Sequence, residues 1–178
     1  NLHAMTDTPA PINVRIRAFQ PHDQAAAKDL ILAGLEEHWG TLDPTRNPDL
    51  NDVAATYAGA SFLLAVMRDD SVERIVGTGA LKPHNATTGE IVRMSVAREA
   101  RRRGIGRRIL DALLDEARVR GMTRVILETT ETWAGAIAFY LAAGFEITHY
   151  QDGDVYFSLN LTPDNSQHQT TNLANPHE

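Results

Sequence analysis

"VAREARRRGIGRRIL" (residues 96–110) joins two patterns of opposite period. Upstream, "GEIVRMSVA" (89–97) follows the turn signal "HNATTG" and reads as a strand. Downstream, Ile105, Ile109, Leu110, Leu113, Leu114 and Ala117 recur at helical spacing, with charge on the opposite face, so a helix is expected from Gly104 to Arg120. The quoted residues are therefore a strand-to-helix turn. The first turn of a helix leaves backbone N–H groups unpaired at the positive end of its dipole. Gly104 and Gly106 take away side chains, so an anion can approach the main chain, and neighbouring arginines offer charge-assisted hydrogen bonds. A phosphate or pyrophosphate is the ligand this arrangement predicts.

The charge is local. Seven arginines lie between Arg93 and Arg108, yet the formal net charge of the chain is -6. With the net +5 of residues 90–108 set aside, the remainder carries about −11. Two phosphate motifs are excluded by residue type. Gly106 is followed by Arg107-Arg108 rather than Lys and Ser/Thr, and Ile109 stands where a dinucleotide fingerprint needs glycine. Nucleic acid is the last-ranked ligand, because the rest of the chain is acidic and no aromatic-bearing basic strand accompanies the arginines.

Further out, the periodicity keeps switching. "INVRIRAF" (12–19) alternates as a half-buried strand, and "DQAAAKDLILAGLEEHW" (23–39) has helical spacing. "NPDLNDVAATYAG" (47–59) predicts a shorter helix with Asn47 or Asp49 as N-cap. "SFLLAVMR" and "RIVGTGALKPH" are strands about "DDSVE"; "RVILETT" (124–130) is another. "WAGAIAFYLAA" is a helix ended by Gly144, and "FEITHYQDGDVYFSLNL" is a hairpin about "DGD". The order β-α-α-β-β-β-α-β-α-β-β predicts an α/β (α+β mixed) fold. Its core is a mixed, mostly antiparallel twisted sheet of six to seven strands flanked by about four helices.

Composition agrees with one globular domain over residues 12–161: 43% of the chain is hydrophobic and 22% charged. "NLHA" before Met5 reads as a cloning remnant at the head of a flexible segment 1–11, and 162–178 as a disordered tail. The longest apolar run, "FLLAVM", is too short to span a bilayer, and no signal-peptide pattern precedes it. With no cysteine present, the expectation is a cytoplasmic protein without membrane attachment. The seven histidines have no metal-ligand spacing, so no metal is expected.

At this point the motifs meet a family. Arg101-Arg102-Arg103-Gly104-Ile105-Gly106 resembles the [QR]-x-x-G-x-[GA] acyl-CoA signature of the GNAT superfamily of N-acetyltransferases. "GEIVRMSV" resembles that family's fourth strand, and "AIAFYLAAGFE" its A-I-x-[LF]-Y-x-x-x-G-F element, in the same order and at family spacing. The resemblance implies acetyl-CoA as acyl donor, with the pyrophosphate cradled by the signature Arg101, Arg102, Arg103, Gly104, Ile105, Gly106 and Arg107. It implies main-chain contacts from Met94, Ser95 and Val96 to the pantetheine arm. Tyr140 matches the tyrosine that protonates the departing thiolate, and Glu90 falls where several members hold the carboxylate that accepts the amine proton, a task bulk water can also perform. Acetyl transfer of this kind needs a neutral amine, donors for the oxyanion and a proton for the thiolate, but no covalent enzyme intermediate.

Two positions depart from the family pattern. Trp133 replaces the asparagine often found seven residues before the tyrosine, and Arg98 replaces a frequent proline. The acceptor is expected to be a primary amine of a small molecule or amino acid, with Glu37, His38 and Trp39 as candidate contacts to a cationic or aromatic amine. A protein N-terminus or lysine is the alternative acceptor, and a non-catalytic CoA-binding module the alternative class. The resemblance also implies that the final strands can support a homodimer.

Overall fold

The computed structural model describes residues 13–161. The segments 1–11 and 162–178, and Ile12 of the first expected strand, lie outside the described residues. The element order is the expected one. It runs β1 (Val14–Ala18), α1 (Gln24–Trp39), α2 (Val53–Thr56), β2 (Ser61–Asp69), β3 (Val72–Pro83), β4 (Thr88–Val96), α3 (Ile105–Val119), β5 (Arg124–Thr130), α4 (Ala134–Ala142), β6 (Glu146–Gln151) and β7 (Asp154–Asn160). The seven strands form one sheet in the order β1-β2-β3-β4-β5-β7-β6. Pairing is antiparallel for β1–β2, β2–β3, β5–β7 and β6–β7, and parallel for β4–β5. Among the described residues no helix is long and apolar enough to cross a membrane.

The chain clusters into two compact units, dividing near the end of β3 after Lys82, within β4 after Glu90 and within α3 after Leu113. In the first unit, Ala27 and Ile31 of α1, Leu50, Val53 of α2, Phe62, Leu64 and Val66 of β2 and Ala80 of β3 form one buried cluster. The side-chain amide of Gln24 ties two of its parts together: it donates to Leu50 O at 2.8 Å and accepts from Val53 N at 2.9 Å. On α3 the predicted stripe is buried, with Ile109, Leu110 and Leu113 fully enclosed. In the second unit, Val125 and Leu127 of β5, Val155 and Phe157 of β7, and Phe145 are buried with Tyr140 of α4. The "DGD" turn places Asp152 and Gly153 at φ 52 and 88, the left-handed pair of a two-residue hairpin.

One expected helix is corrected. Residues 47–59 do not form a single helix: Pro48–Asn51 is a 3-10 turn and α2 covers only Val53–Thr56. Asn47 is the N-cap of the 3-10 turn, while the N-cap of α2 is Asp52, whose carboxylate accepts from Ala55 N at 3.0 Å; Asp49 caps neither. Asp49 is diverted to a distant arginine, and Asn47 caps the 3-10 turn from a left-handed conformation, φ 62, without a side-chain capping hydrogen bond.

The start of α1 is pinned by a nearly buried ion pair. Arg17 donates to both Asp23 oxygens at 2.7 and 2.9 Å, Gln20 N adds a third bond at 2.8 Å, and Asp23 is only 4% exposed. The Arg17 hydrogen bonds hold the Asp23 carboxyl below the ordinary carboxylate range. A depressed folded-state pKa adds stability above the unfolded-state value near 3.9, and that stability is lost as pH falls through the folded value. Asp23→Ala is expected to cost about 2–3 kcal/mol at neutral pH, because it strands the Arg17 guanidinium. Thermal unfolding should show the gap between wild type and variant narrowing as pH falls below about 4.

Candidate functional site

Strand β4 breaks its own alternation. Val92 packs against the α1/α2 cluster, and the next residue, Arg93, reaches the segment that carries Leu50 of that cluster, where it meets Asp49. Met94 then faces the other side: a Cβ built on Gly79 would lie 2.6 Å from Met94 Sδ, 2.7 Å from Ile109 and 3.0 Å from Leu113 of α3. Ser95 returns to α1, with its Oγ 2.9 Å from the place a Cβ on Gly34 would take. Two successive side chains on one face mark a bulge, and Arg93 supplies it with φ 55. Thr78 Oγ1 donates to the Arg93 carbonyl at 2.7 Å. The bulge thus sets the direction of Met94, Ser95 and Val96, the three residues expected to contact a pantetheine arm.

The turn before α3 has a geometry that can take an anion. Arg101 is extended, Arg102 lies at φ 61 and Gly104 at φ 74. Left-handed residues interleaved in a turn make successive N–H groups converge into a concavity. The bond from Arg108 N to the Gly104 carbonyl opens the helical series, so the amides of Ile105, Gly106 and Arg107 precede it and have no carbonyl within α3. A Cβ on Gly104 would meet nothing within 4 Å, which leaves the space beside it open.

The arginine side chains divide into two groups. Arg101 donates to Glu37 through Nη1 at 2.7 Å and Nη2 at 3.1 Å, and through Nε to Val96 O at 3.0 Å. Arg107 pairs with Asp111 at 2.8 Å, and Arg108 donates to Val14 O at 2.6 Å. Arg102 and Arg103 are exposed. Three of the five arginines between Arg101 and Arg108 therefore bind protein, and the amides of Ile105, Gly106 and Arg107 are the main-chain donors the turn can offer an anion. Glu37, a candidate acceptor contact, has its carboxylate held by Arg101, whose hydrogen bonds keep it below the ordinary range. His38 and Trp39 are exposed at the end of α1, Trp39 by 57%.

In the second unit, the Tyr140 ring is buried among Phe139, Phe145 and Phe157, with centroids 5.1, 5.9 and 5.7 Å away. Burial pushes its hydroxyl well above the usual tyrosine range. Glu90 is half-buried on β4, in register with Ile126 of β5. Glu128, two residues further along β5, lies on the same face of that strand as Ile126, and its cross-strand partner is Tyr156. The Tyr156 hydroxyl hydrogen-bonds the Glu128 carboxylate, and the His149 ring stacks on Tyr156 at 4.3 Å. Strand periodicity alone carries no signal for this row, because the pairing of β5 with β7 skips an entire helix and strand. Among the described residues there is no cluster of three or more His, Cys, Asp or Glu that could hold a metal ion.

Residues 26–145 match the family model described as Acetyltransferase (GNAT) family. An IAA acetyltransferase of Azospirillum brasilense is 34% identical over 134 residues, covering 75% of this chain and 84% of that protein. A mycothiol acetyltransferase of Beutenbergia cavernae is 39% identical over 129 residues, covering 72% of this chain but only 38% of its own length. The chain likewise spans about half of several other relatives, 47% in the case of a rat N-acetyltransferase 8B. The fold is similar to that of the PaiA N-acetyltransferase from Thermoplasma acidophilum in its complex with coenzyme A. There the TM-score is 0.71 at 16% identity, over 84% of this chain and 99% of that one.

Proposed function

The chain belongs to the acetyltransferase (GNAT) family, and on that premise we propose that it moves an acetyl group from acetyl-CoA to a primary amine of a small molecule or amino acid, by direct transfer in a ternary complex. The observation that carries the proposal is the turn Arg101–Arg107, with left-handed residues at Arg102 and Gly104 and the amides of Ile105, Gly106 and Arg107 ahead of the first helical bond. Those donors suit the pyrophosphate of CoA. Main-chain groups of Met94–Val96, redirected by the bulge, suit the pantetheine arm and the thioester carbonyl. Polarised by such donors, the carbonyl carbon is attacked by the neutral amine, and the developing oxyanion is stabilised. Glu90 takes the amine proton, directly or through water. Tyr140, a phenol that is protonated at neutral pH, supplies a proton to the departing thiolate.

The test is a thermal-shift titration of wild type and Gly104→Glu with acetyl-CoA, CoA and ATP at fixed salt. Wild type is expected to gain several degrees with the two CoA ligands and less with ATP. Gly104→Glu should abolish that gain, since it forces a side chain into a left-handed position and puts a carboxylate where the pyrophosphate would lie. Absence of any shift with either CoA ligand would sink the proposal. An amine panel then follows, in which transfer only to a peptide N-terminus or lysine would move the acceptor from small molecule to protein.

A further inference from the structure

The bulge in β4 has a dedicated clasp. Arg93 Nε and Nη2 donate to the two oxygens of Asp49 at 2.9 and 2.6 Å, and Nη1 donates to Asn47 Oδ1 at 3.1 Å. The Tyr57 hydroxyl donates to Asp49 Oδ2 at 2.6 Å. Arg93 and Asp49 side chains are only 20% and 24% exposed. Burial pushes Asp49 up, but the hydrogen bonds from Arg93 and Tyr57 outweigh it and leave the carboxyl below its ordinary range. Burial, with Asp49 beside it, pushes Tyr57 up to about 12. The whole group is thus locked as one cation, one anion and one neutral phenol.

We propose that Arg93 is a positioning residue for the acyl donor: the Asp49–Tyr57–Asn47 clasp holds it in the left-handed conformation that turns Met94, Ser95 and Val96 toward the pantetheine arm. This inference rests on the acetyl-CoA reading above. A left-handed conformation is disfavoured for any residue with a Cβ, so it persists only where its surroundings hold it. Here the backbone is held by Thr78 at the Arg93 carbonyl, and the side chain by the bidentate carboxylate. Without the bulge, the two-residue period of a strand would exchange the faces of Met94 and Ser95. Met94 would leave the glycine floor of β3, and the amides and carbonyls of 94–96 would reverse direction with it.

Titration calorimetry on the full chain separates this role from a general structural one, using acetyl-CoA and adenosine 3′-phosphate 5′-diphosphate. The nucleotide contains the pyrophosphate end of CoA but lacks the pantetheine. Asp49→Asn and Arg93→Ala are expected to weaken acetyl-CoA about tenfold, while nucleotide affinity stays within about twofold of wild type. Arg93→Gly removes the same guanidinium but adopts the left-handed conformation without strain, so it should bind acetyl-CoA more tightly than Arg93→Ala. Equal losses for both ligands, or a glycine variant no better than alanine, overturn the inference while leaving the acetyl-CoA reading intact. If wild type binds neither ligand, that reading fails and the inference fails with it. Should the Arg93 variants not fold, Asp49→Asn alone still decides through the ratio of the two affinities.

Discussion

Tyr140→Phe is expected to lower kcat by about two to three orders of magnitude while the KM for acetyl-CoA stays within about twofold. The substitution removes one hydroxyl from a ring packed edge-on against Phe139 and Phe145 and tilted against Phe157. Phenylalanine fills the same volume, so the unfolding midpoint should move by only a few degrees. On the proposed mechanism, what is lost is the proton for the leaving thiolate. Burial raises the Tyr140 pKa, so the hydroxyl stays protonated through the ordinary tyrosine range and the wild-type rate should not decline on this group's account up to about pH 10. Steady-state kinetics with calorimetric acetyl-CoA affinity check the split. An unchanged kcat would make Tyr140 a core residue only.

Gly79→Val is expected to destabilise the protein by about 3 kcal/mol, or roughly 6–12 °C in Tm, the upper range for overpacking a well-filled site. The first atom of the new side chain would already stand 2.6 Å from Met94 Sδ, 2.7 Å from Ile109 Cγ2 and 3.0 Å from Leu113 Cδ1. Ile109 and Leu113 are fully buried and have nowhere to go. Met94 is the flexible partner, so it should yield first, and acetyl-CoA affinity should fall together with stability. Gly135→Ala in α4 is the control: its Cβ would meet nothing within 4 Å, and alanine favours a helix by up to about 1 kcal/mol. A Tm for Gly79→Val equal to that of wild type would refute the close packing of β3 on α3.

Both predictions depend on features of unequal visibility in the chain. The order of strands and helices, the apolar stripe of α3 and the glycine-bearing turn before it are local properties. Each follows from periodicity within about fifteen residues, or from glycines whose backbone freedom acts where they stand. Gly104 and Gly153 take positive φ in the turns where the sequence puts them, and Gly121 and Gly144 do so at helix ends. The motif Arg101–Gly106 is legible for the same reason, because a helix N-terminus needs no distant partner to present its amides.

The side-chain pairings were not legible, because they join residues far apart in the chain. Glu37 and Arg101 are 64 residues apart, and their bidentate pair ties an expected acceptor contact to the first arginine of the signature. Asp49 and Arg93 are separated by 44 residues. Read locally, Asp49 is an ordinary N-cap and Arg93 an ordinary strand residue. In the folded chain Asp49 pairs with Arg93, α2 covers only Val53–Thr56, and β4 carries a left-handed residue just before Met94 and Ser95. Local propensity and spacing therefore account for what elements this chain forms and where an anion would sit. The direction of the strand groups beside that anion depends on an ion pair that exists only when a loop and a strand meet. A partly buried charge is stable only beside its partner, so the folded chain settles on the arrangement that pairs them.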